Sequence, residues 1–154
     1  MKINFYTLEK NEEGHPVMVA EPWKYQVDEN CQFDNPKRIV NLVEEIGLSN
    51  KMEEYLYLLC LDSRLHFLGF CEVSHGAADY SVIDSKSIFQ RALLLGAVKI
   101  ILIHNHPSGN PAPSKQDIEC TKKISKAGEL LDIPLLDHII VAKGNFCSMR
   151  EKFS

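Results

Sequence analysis

The pattern of apolar positions predicts strands that lie in the interior of a sheet. Residues 54–62 and 98–103 are almost continuously apolar, without the alternation expected of a strand that has one face in water. Residues 65–73 follow the first run after a tight connection, which predicts an antiparallel pair. Residues 135–141 form a further strand, and a turn at residues 143–145 leads into a last short strand.

Three other segments place apolar residues on one face of a helix, and each begins with a side chain that caps helices well. Glycine or proline then stops each segment, because neither residue continues a helix readily. The predicted helices run from Asn35 to Gly47, from Asp84 to Gly96, and from Ser114 to the residues before Pro134. Asn105, Ser108 and Gly109 precede the third helix and are expected to be ordinary turn formers.

Helices and strands are mingled along the chain rather than strictly alternating. This order favours the α/β (α+β) class, with a mixed β-sheet flanked by helices, over a doubly wound parallel sheet. At 154 residues the chain has the length of one compact domain with a buried core. We assign residues 35–154 to that domain and residues 1–34 to an N-terminal extended or hairpin-like arm, which Trp23 is expected to pack against it.

Composition narrows the function classes. The net charge of -4 argues against non-specific binding to nucleic acid, so DNA as a partner is not supported by the charge. The sequence has no apolar run of membrane-spanning length and no signal peptide at its start, so we expect a cytoplasmic protein without a membrane partner. Scattered cysteines without a C-x-x-C pair predict reduced thiols in the core. They are Cys31, Cys60, Cys71, Cys120 and Cys147.

Candidate chemistry is concentrated in residues 100–117. His104 and His106 stand two apart where a strand ends, and the period-two geometry of a strand points both imidazoles to one side. Asp117 lies in the first turn of the following helix, within reach of that side across the loop. Two histidines and one carboxylate leave a fourth tetrahedral position open for water, which is the composition of a catalytic zinc site.

Each of these residues also has a purely structural explanation. Ser114 is a good N-cap, and Asp117 suits the positive end of a helix. Two histidines near a strand end, taken alone, are more often surface or hydrogen-bonded core residues than metal ligands. His138, between apolar neighbours on a strand, is expected to be a core or supporting histidine together with Asp137. A zinc deaminase would need a Pro-Cys-x-x-Cys pair, which this sequence lacks.

A family resemblance favours the metal interpretation. The string H-x-H-P at residues 104–107, followed by S-x-x-D at residues 114–117, resembles the JAMM motif of the JAB/MPN metalloprotease fold. The longer string H-N-H-P-S-G-N-P-x-P-S-x-x-D is similar to the bacterial RadC family in particular, as are L-D at residues 61–62 and L-D-H-I-I-V at residues 136–141. The resemblance covers about residues 50–150. It implies a JAB/MPN-like mixed sheet between helices, with cytidine-deaminase-like layering.

The resemblance also implies roles for individual residues. His104, His106 and Asp117 correspond to the ligands of a Zn²⁺ cofactor, and Ser114 to the residue that stabilises the oxyanion. The reaction implied is hydrolysis of a peptide or isopeptide amide in a protein or peptide substrate by a zinc-activated water. The alternative that the family name carries is a non-enzymatic accessory role in DNA repair or processing.

The catalytic glutamate of the family lies at the start of the first strand, eight residues before the aspartate of the L-D pair. Here that aspartate is Asp62, and the position is Glu54. Glu72 on the second strand is a competitor, and Glu53 is a weaker one. The chain departs from the family pattern at residues 77 and 85–87, and the stretch upstream is expected to be too short for the helical region usual in the family. These departures leave the metal set intact but weaken expectations for the substrate surface and for any link to DNA.

Overall fold

A computed structural model describes the backbone of residues 2–26, 31–76 and 84–153, with side chains from residue 4 to 21 in the first range. The side chain of Trp23 therefore lies outside the described part. The elements in chain order are β1 (Lys2–Lys10), β2 (Pro16–Gln26), α1 (Pro36–Glu45), a 3₁₀ turn (Leu48–Asn50), β3 (Glu54–Leu61), β4 (Phe67–Gly76), α2 (Ser85–Leu94), β5 (Lys99–Asn105), α3 (Lys115–Leu131), β6 (Leu135–Ala142), β7 (Asn145–Ser148) and α4 (Met149–Phe153).

The strands form one mixed sheet in the order β2-β1-β4-β3-β5-β6-β7. Strand β3 is antiparallel to β4 and to β5, whereas β5 is parallel to β6 and β1 is parallel to β4. The predicted α+β architecture, a mixed sheet flanked by helices, is confirmed. Residues of the predicted N-terminal arm form the hairpin β1–β2, and Phe5 and Tyr6 pair it to the edge of the sheet beside β4.

The helix starts follow from local capping, as the sequence predicts. The side chain of Asn35 accepts a hydrogen bond from the amide of Lys37, with Pro36 in the first helical turn of α1. The side chain of Asp84 caps α2 in the same way, accepting from the amide of Lys86. These caps satisfy amides that have no partner within the helix.

Several strand boundaries and one helix differ from the prediction, and β4, for example, ends at Gly76 instead of residue 73. Strand β4 begins at Phe67 instead of residue 65, because the carboxylate of Asp62 accepts from the amides of Arg64 and His66 and holds a longer turn. Leu65 adopts φ +65° in that turn, which is incompatible with a strand. Strand β5 continues to Asn105, and the short helix α4 was not predicted.

The sheet separates two apolar layers. Alternate residues of β3, among them Tyr57 and Leu59, pack against α1 on one face. Leu56 and Leu58 pack on the other face, against residues of α2 and α3. His104 also lies on this second face, because it pairs with Leu56 and follows the apolar residues of β5 that pack there. We call this second face the site face. No helix in the described ranges is long and apolar enough to span a bilayer.

Helix α3 approaches the chain that leads into β6 unusually closely. A Cβ atom added at Gly128 would stand 2.5 Å from the carbonyl oxygen of Ile133, a distance that real contacts do not reach. The amide of Ile133 also donates to the carbonyl of Gly128. A glycine at this position therefore lets the end of α3 lie directly against the segment that leads into β6.

Gly128→Ala should destabilise the protein, although alanine favours a helix by about 1 kcal/mol over glycine. Backbone must move to accommodate the methyl group, and overpacking of this kind costs roughly 1–3 kcal/mol. Urea unfolding monitored by circular dichroism measures the change. Glu129→Ala, at the exposed neighbouring position, is the control and should shift the stability by no more than about 0.5 kcal/mol. Equal stability of G128A and wild type would contradict the close approach.

Candidate metal centre

Three side chains with metal-ligand chemistry meet where β5 ends and α3 begins. Nε2 of His104 lies 3.0 Å from Nε2 of His106, and the latter nitrogen lies 3.1 Å from Oδ2 of Asp117. Nε2 of His104 is also 3.3 Å from Oδ1 of Asp117. The side chains of His104 and Asp117 are fully buried, whereas His106 retains 12% of its exposed surface. His106 is thus the member of this cluster that is partly exposed.

The start of α3 holds the carboxylate in place. Oγ of Ser114 accepts from the amide of Asp117 at 3.0 Å, and Oδ2 of Asp117 accepts from the amide of Ser114 at 2.7 Å. This reciprocal capping box usually carries Glu or Gln at its third helical position. The shorter Asp117 side chain keeps its carboxylate at the helix end, directly under the two imidazoles.

The second ring nitrogen of each histidine, Nδ1, also has a hydrogen-bond partner. Nδ1 of His106 lies 2.9 Å from the main-chain oxygen of Asn110, which only accepts, so this nitrogen donates. Nδ1 of His104 lies 2.6 Å from Nε2 of His138. With a proton on Nδ1 of each ring, the lone pairs of both Nε2 atoms point toward each other and toward Asp117.

The cluster shifts the protonation of its members. Burial acts to raise the pKa of the Asp117 carboxyl, but its contacts with His104 and His106 outweigh burial and hold that pKa well below its ordinary value. The pKa of His106 is raised, chiefly by its hydrogen bond to Asp117 and against the effect of burial. Burial, reinforced by the charge of His104, holds the pKa of His138 well below its ordinary value.

The cluster fits a metal ion. The ligand atoms of His104, His106 and Asp117 lie within 4.8 Å of one another. Oδ1 of Asp117 is buried, and among the described residues it has no partner with hydrogen-bond geometry. An ionised oxygen that is withdrawn from water without such a partner is costly, and a cation would compensate it. The group could therefore hold a metal, which is the arrangement expected from the period of the strand.

The structure separates the two main candidates for the catalytic base. Glu54 begins β3 two residues before Leu56, so alternation directs it to the site face, and its charge contributes to the raised pKa of His106. Glu72 pairs directly with Tyr57 and points to the opposite face, where its charge, after burial, raises the pKa of Tyr57. Its carboxylate lies 2.8 Å from Nδ1 of His75.

Asn105 is the functional residue that sequence reasoning missed. It is the last residue of β5 and is 99% buried, not an ordinary turn former. Its Oδ1 accepts from the amide of Tyr55 at 2.7 Å, and its Nδ2 donates to the carbonyl of Glu53 at 2.9 Å. These bonds clamp the backbone on both sides of Glu54. Glu53, the weaker candidate, precedes β3 and is exposed.

Ser114 has a second capacity besides capping. The cap uses a lone pair of its Oγ, because Asp117 donates to it. The hydroxyl proton is not required for the cap and can be donated to a group bound beside the cluster. The two explanations that the sequence leaves open for Ser114, a helix cap and a hydrogen-bond donor to substrate, are therefore compatible.

The buried cysteines do not have the character of nucleophiles. Cys60, Cys71 and Cys120 are buried free thiols. Burial raises the pKa of Cys71 to about 12 and, together with the charge of Asp117, that of Cys120 to about 11. Thiols with such pKa values stay protonated near neutral pH and react slowly. These three are core residues, as predicted, whereas Cys31 and Cys147 are only partly buried.

Comparison with known proteins identifies the type of domain. A family profile described as "RadC-like JAB domain" matches residues 33–153. The chain is 37% identical over 125 residues to a UPF0758 protein of Roseiflexus castenholzii, covering 81% of this chain and 53% of that protein. It is 34% identical over 117 residues to a UPF0758 protein of Geobacter sulfurreducens, covering 76% of this chain and 51% of that protein. The chain thus spans about half the length of the curated relatives it matches.

Asn105→Ala should lower the free energy of unfolding by about 2 kcal/mol or more, because it leaves a buried amide and a buried carbonyl without partners. Denaturant unfolding of the metal-free protein measures the loss. Asn50→Ala, at an exposed position of the 3₁₀ turn, provides the control and should be nearly neutral. Equal stability of the two variants would show that the clamp does not hold the start of β3.

Metal affinity should fall as the pH is lowered from 8 to 6. A ligand histidine must lose its proton to bind, and the raised pKa of His106 means that this proton is held at a higher pH than the ordinary value of about 6.5. Below that pKa, displacement of one proton weakens binding roughly tenfold per pH unit. Competition titrations with Zn²⁺ and a chelator of known pH dependence test this. An affinity that is constant down to pH 6 would contradict it.

Proposed function

This chain belongs to the RadC-like JAB domain family, and we propose that it is a zinc-dependent metallohydrolase of the JAMM type that cleaves a peptide or isopeptide amide bond. One observation carries the proposal. Two imidazole nitrogens and a buried carboxylate converge at one point, on the same sheet face as Glu54. This mixed nitrogen and oxygen set suits zinc, whereas Mg²⁺ and Ca²⁺ prefer sites made of oxygen ligands.

The residues of the site have complementary roles in this proposal. His104, His106 and Asp117 hold the zinc ion, which when bound polarises a carbonyl and lowers the pKa of water toward neutrality. Glu54 takes the proton of the attacking water and delivers it to the nitrogen of the leaving amine. Ser114 donates its hydroxyl proton to the carbonyl oxygen as negative charge develops there.

The order of the elements supports this division of roles. Glu54 comes from β3, His104 from β5 and His106 from the residue after β5, and Ser114 and Asp117 stand at the start of α3. Because the base and the metal ligands stand on different elements, the substrate amide would lie between them. The clamp from Asn105 sets the distance between β3 and β5 at that point. The substrate would be a protein or peptide, which the amide-hydrolysing chemistry requires.

An accessory role in DNA processing is the less favoured alternative. A DNA-binding surface needs clustered cations to neutralise phosphates, whereas the chain has 17 Lys and Arg residues against 21 Asp and Glu residues. A buried cluster of metal ligands beside a carboxylate has no part in phosphate binding of that kind. Hydrolysis of an amide uses every one of these groups.

Glu54→Gln should retain zinc and lose hydrolysis by roughly 10²–10⁴-fold, because the amide keeps the shape of the side chain but takes up no proton. Zinc content by atomic emission and cleavage of a mass-spectrometric peptide library, with isopeptide-linked members included, are the measurements. Glu72→Gln is the matched control, since that carboxylate lies on the opposite face, and it should cleave as the wild type does.

His104→Ala should lose both zinc and cleavage, which separates the metal from the base. If the wild type binds no zinc, or if H104A holds as much zinc as the wild type, the metal site is wrong. If E54Q cleaves as the wild type does and E72Q does not, the base is Glu72. A zinc-loaded wild type that cleaves no member of the library would count against amide hydrolysis.

A further inference from the structure

A continuous chain of hydrogen bonds connects two of the ligand residues behind the metal cluster. From Nδ1 of His104 the chain passes at 2.6 Å to Nε2 of His138. Nδ1 of His138 lies 2.6 Å from the hydroxyl of Thr121, one turn after Asp117 on α3. That hydroxyl in turn lies 2.7 Å from the main-chain oxygen of Asp117. These hydrogen bonds therefore connect the side chain of one ligand residue, His104, with the backbone of another, Asp117.

The distribution of protons along this chain has two consistent forms. In the first form His104 carries its proton on Nδ1, His138 carries its proton on Nδ1, and Thr121 donates onward. In the second form every proton is reversed, so that Thr121 donates to His138 and His138 donates to Nδ1 of His104. Neutral His104 would then hold its only proton on Nε2. That form has no lone pair at Nε2 and cannot bind a metal there.

The surroundings of Thr121 select the first form. Among the described residues, its hydroxyl also has hydrogen-bond contacts with the main-chain oxygen of Asp117 and, at 3.3 Å, with the sulfur of Met149. Both atoms only accept hydrogen bonds, so the hydroxyl proton has acceptors on that side. His138 is the neighbour in this set that can donate to the hydroxyl oxygen. The second form would leave the carbonyl of Asp117 without the hydroxyl proton and reverse both ring contacts.

Burial makes this selection effective. His104 and His138 are exposed by 0% and 1% of their surfaces, so water does not replace the contacts between their rings. Only one proton fits between Nδ1 of His104 and Nε2 of His138 at 2.6 Å. A hydrogen bond at the outer nitrogen of a ligand histidine orients the ring and increases its basicity.

We propose that His138 and Thr121 are positioning residues that fix the proton of His104 on Nδ1 and so keep its Nε2 available to the metal. The inference rests on the metal site of the proposed function, not on the reaction that the site carries out. It gives His138, a histidine that the sequence leaves as a core or supporting residue, a specific task. Thr121 shares this role with His138, although nothing in the sequence around Thr121 indicates a functional residue.

The first test measures Zn²⁺ affinity by competition with a chelator. His138→Leu removes the acceptor for His104 and should weaken zinc binding about 10- to 100-fold, the usual range for such partners of a ligand. Thr121→Val keeps the size of the side chain and removes only the hydroxyl, so it should fold as the wild type does and weaken binding by about tenfold. Unchanged affinity in T121V would overturn the proposal even if H138L failed to fold.

Two further variants separate positioning from a general effect on the helix. Thr121→Ser restores the hydroxyl on a smaller side chain and should recover zinc affinity to within about threefold of the wild type. Ser125→Ala, one turn further along α3, alters a hydroxyl that is not part of the chain and should leave affinity unchanged. Loss of affinity in S125A equal to that in T121V would mean that the effect is structural, which would overturn the proposal.

The second test determines directly which ring nitrogens of His104 and His138 carry protons in the wild type. Nitrogen-15 chemical shifts of the histidine rings distinguish a protonated nitrogen from one that carries a lone pair. We expect His138 to be protonated on Nδ1 and not on Nε2, with and without Zn²⁺, and His104 to be protonated on Nδ1 in the zinc-loaded protein. A proton on Nε2 of His138 would overturn the inference.

These results remain distinguishable from a failure of the proposed function. If zinc binds and the variants behave as expected but no amide is cleaved, the positioning role stands and the hydrolase proposal fails. If the wild type binds no Zn²⁺, both the proposed function and the positioning role of His138 and Thr121 fail. If zinc and cleavage are both present and T121V matches the wild type, only the positioning role fails.

Discussion

A buried negative charge is the constraint on which the rest of this structure depends. Asp117 has no exposed side-chain surface, and burial by itself would favour its neutral form. The amide of Ser114, the positive end of α3 and the imidazoles of His104 and His106 keep it ionised instead. The same contacts that make the carboxylate tolerable in the fold therefore prepare it to bind a cation. Folding and metal binding are not separate properties of this residue.

Sheet register gives the site its precision. The candidate base and the histidines are about 50 positions apart in sequence, and pairing of Leu56 with His104 brings their strands together. Asn105, which stands between the two histidines, then holds the start of β3 through two backbone contacts. One short segment thus supplies metal ligands on one face and fixes a neighbouring strand. A shift of one residue would place the base on the wrong face of the sheet.

Much of the fold and of the site was predictable, because the signals are local. Side-chain caps mark the start of each main helix, and continuous apolar runs mark central strands. The predicted alternation of His104 and His106 and the first-turn position of Asp117 likewise depend on geometry within a few residues. Asn105 was misjudged for the same reason. Asparagine between a strand and a proline-rich loop resembles a turn former, and only its partners 50 residues away reveal the clamp.

The sequence by itself determined most of the elements, the mixed sheet, and the residue types that could bind a metal, since propensity, capping and side-chain period act over short distances. Only the tertiary structure decided which face of the sheet each side chain occupies. It placed Glu54 on the site face and Glu72 on the other, and it joined His138 and Thr121 to the ligands. The reason is physical: strand pairing and packing between layers create contacts that no local pattern encodes.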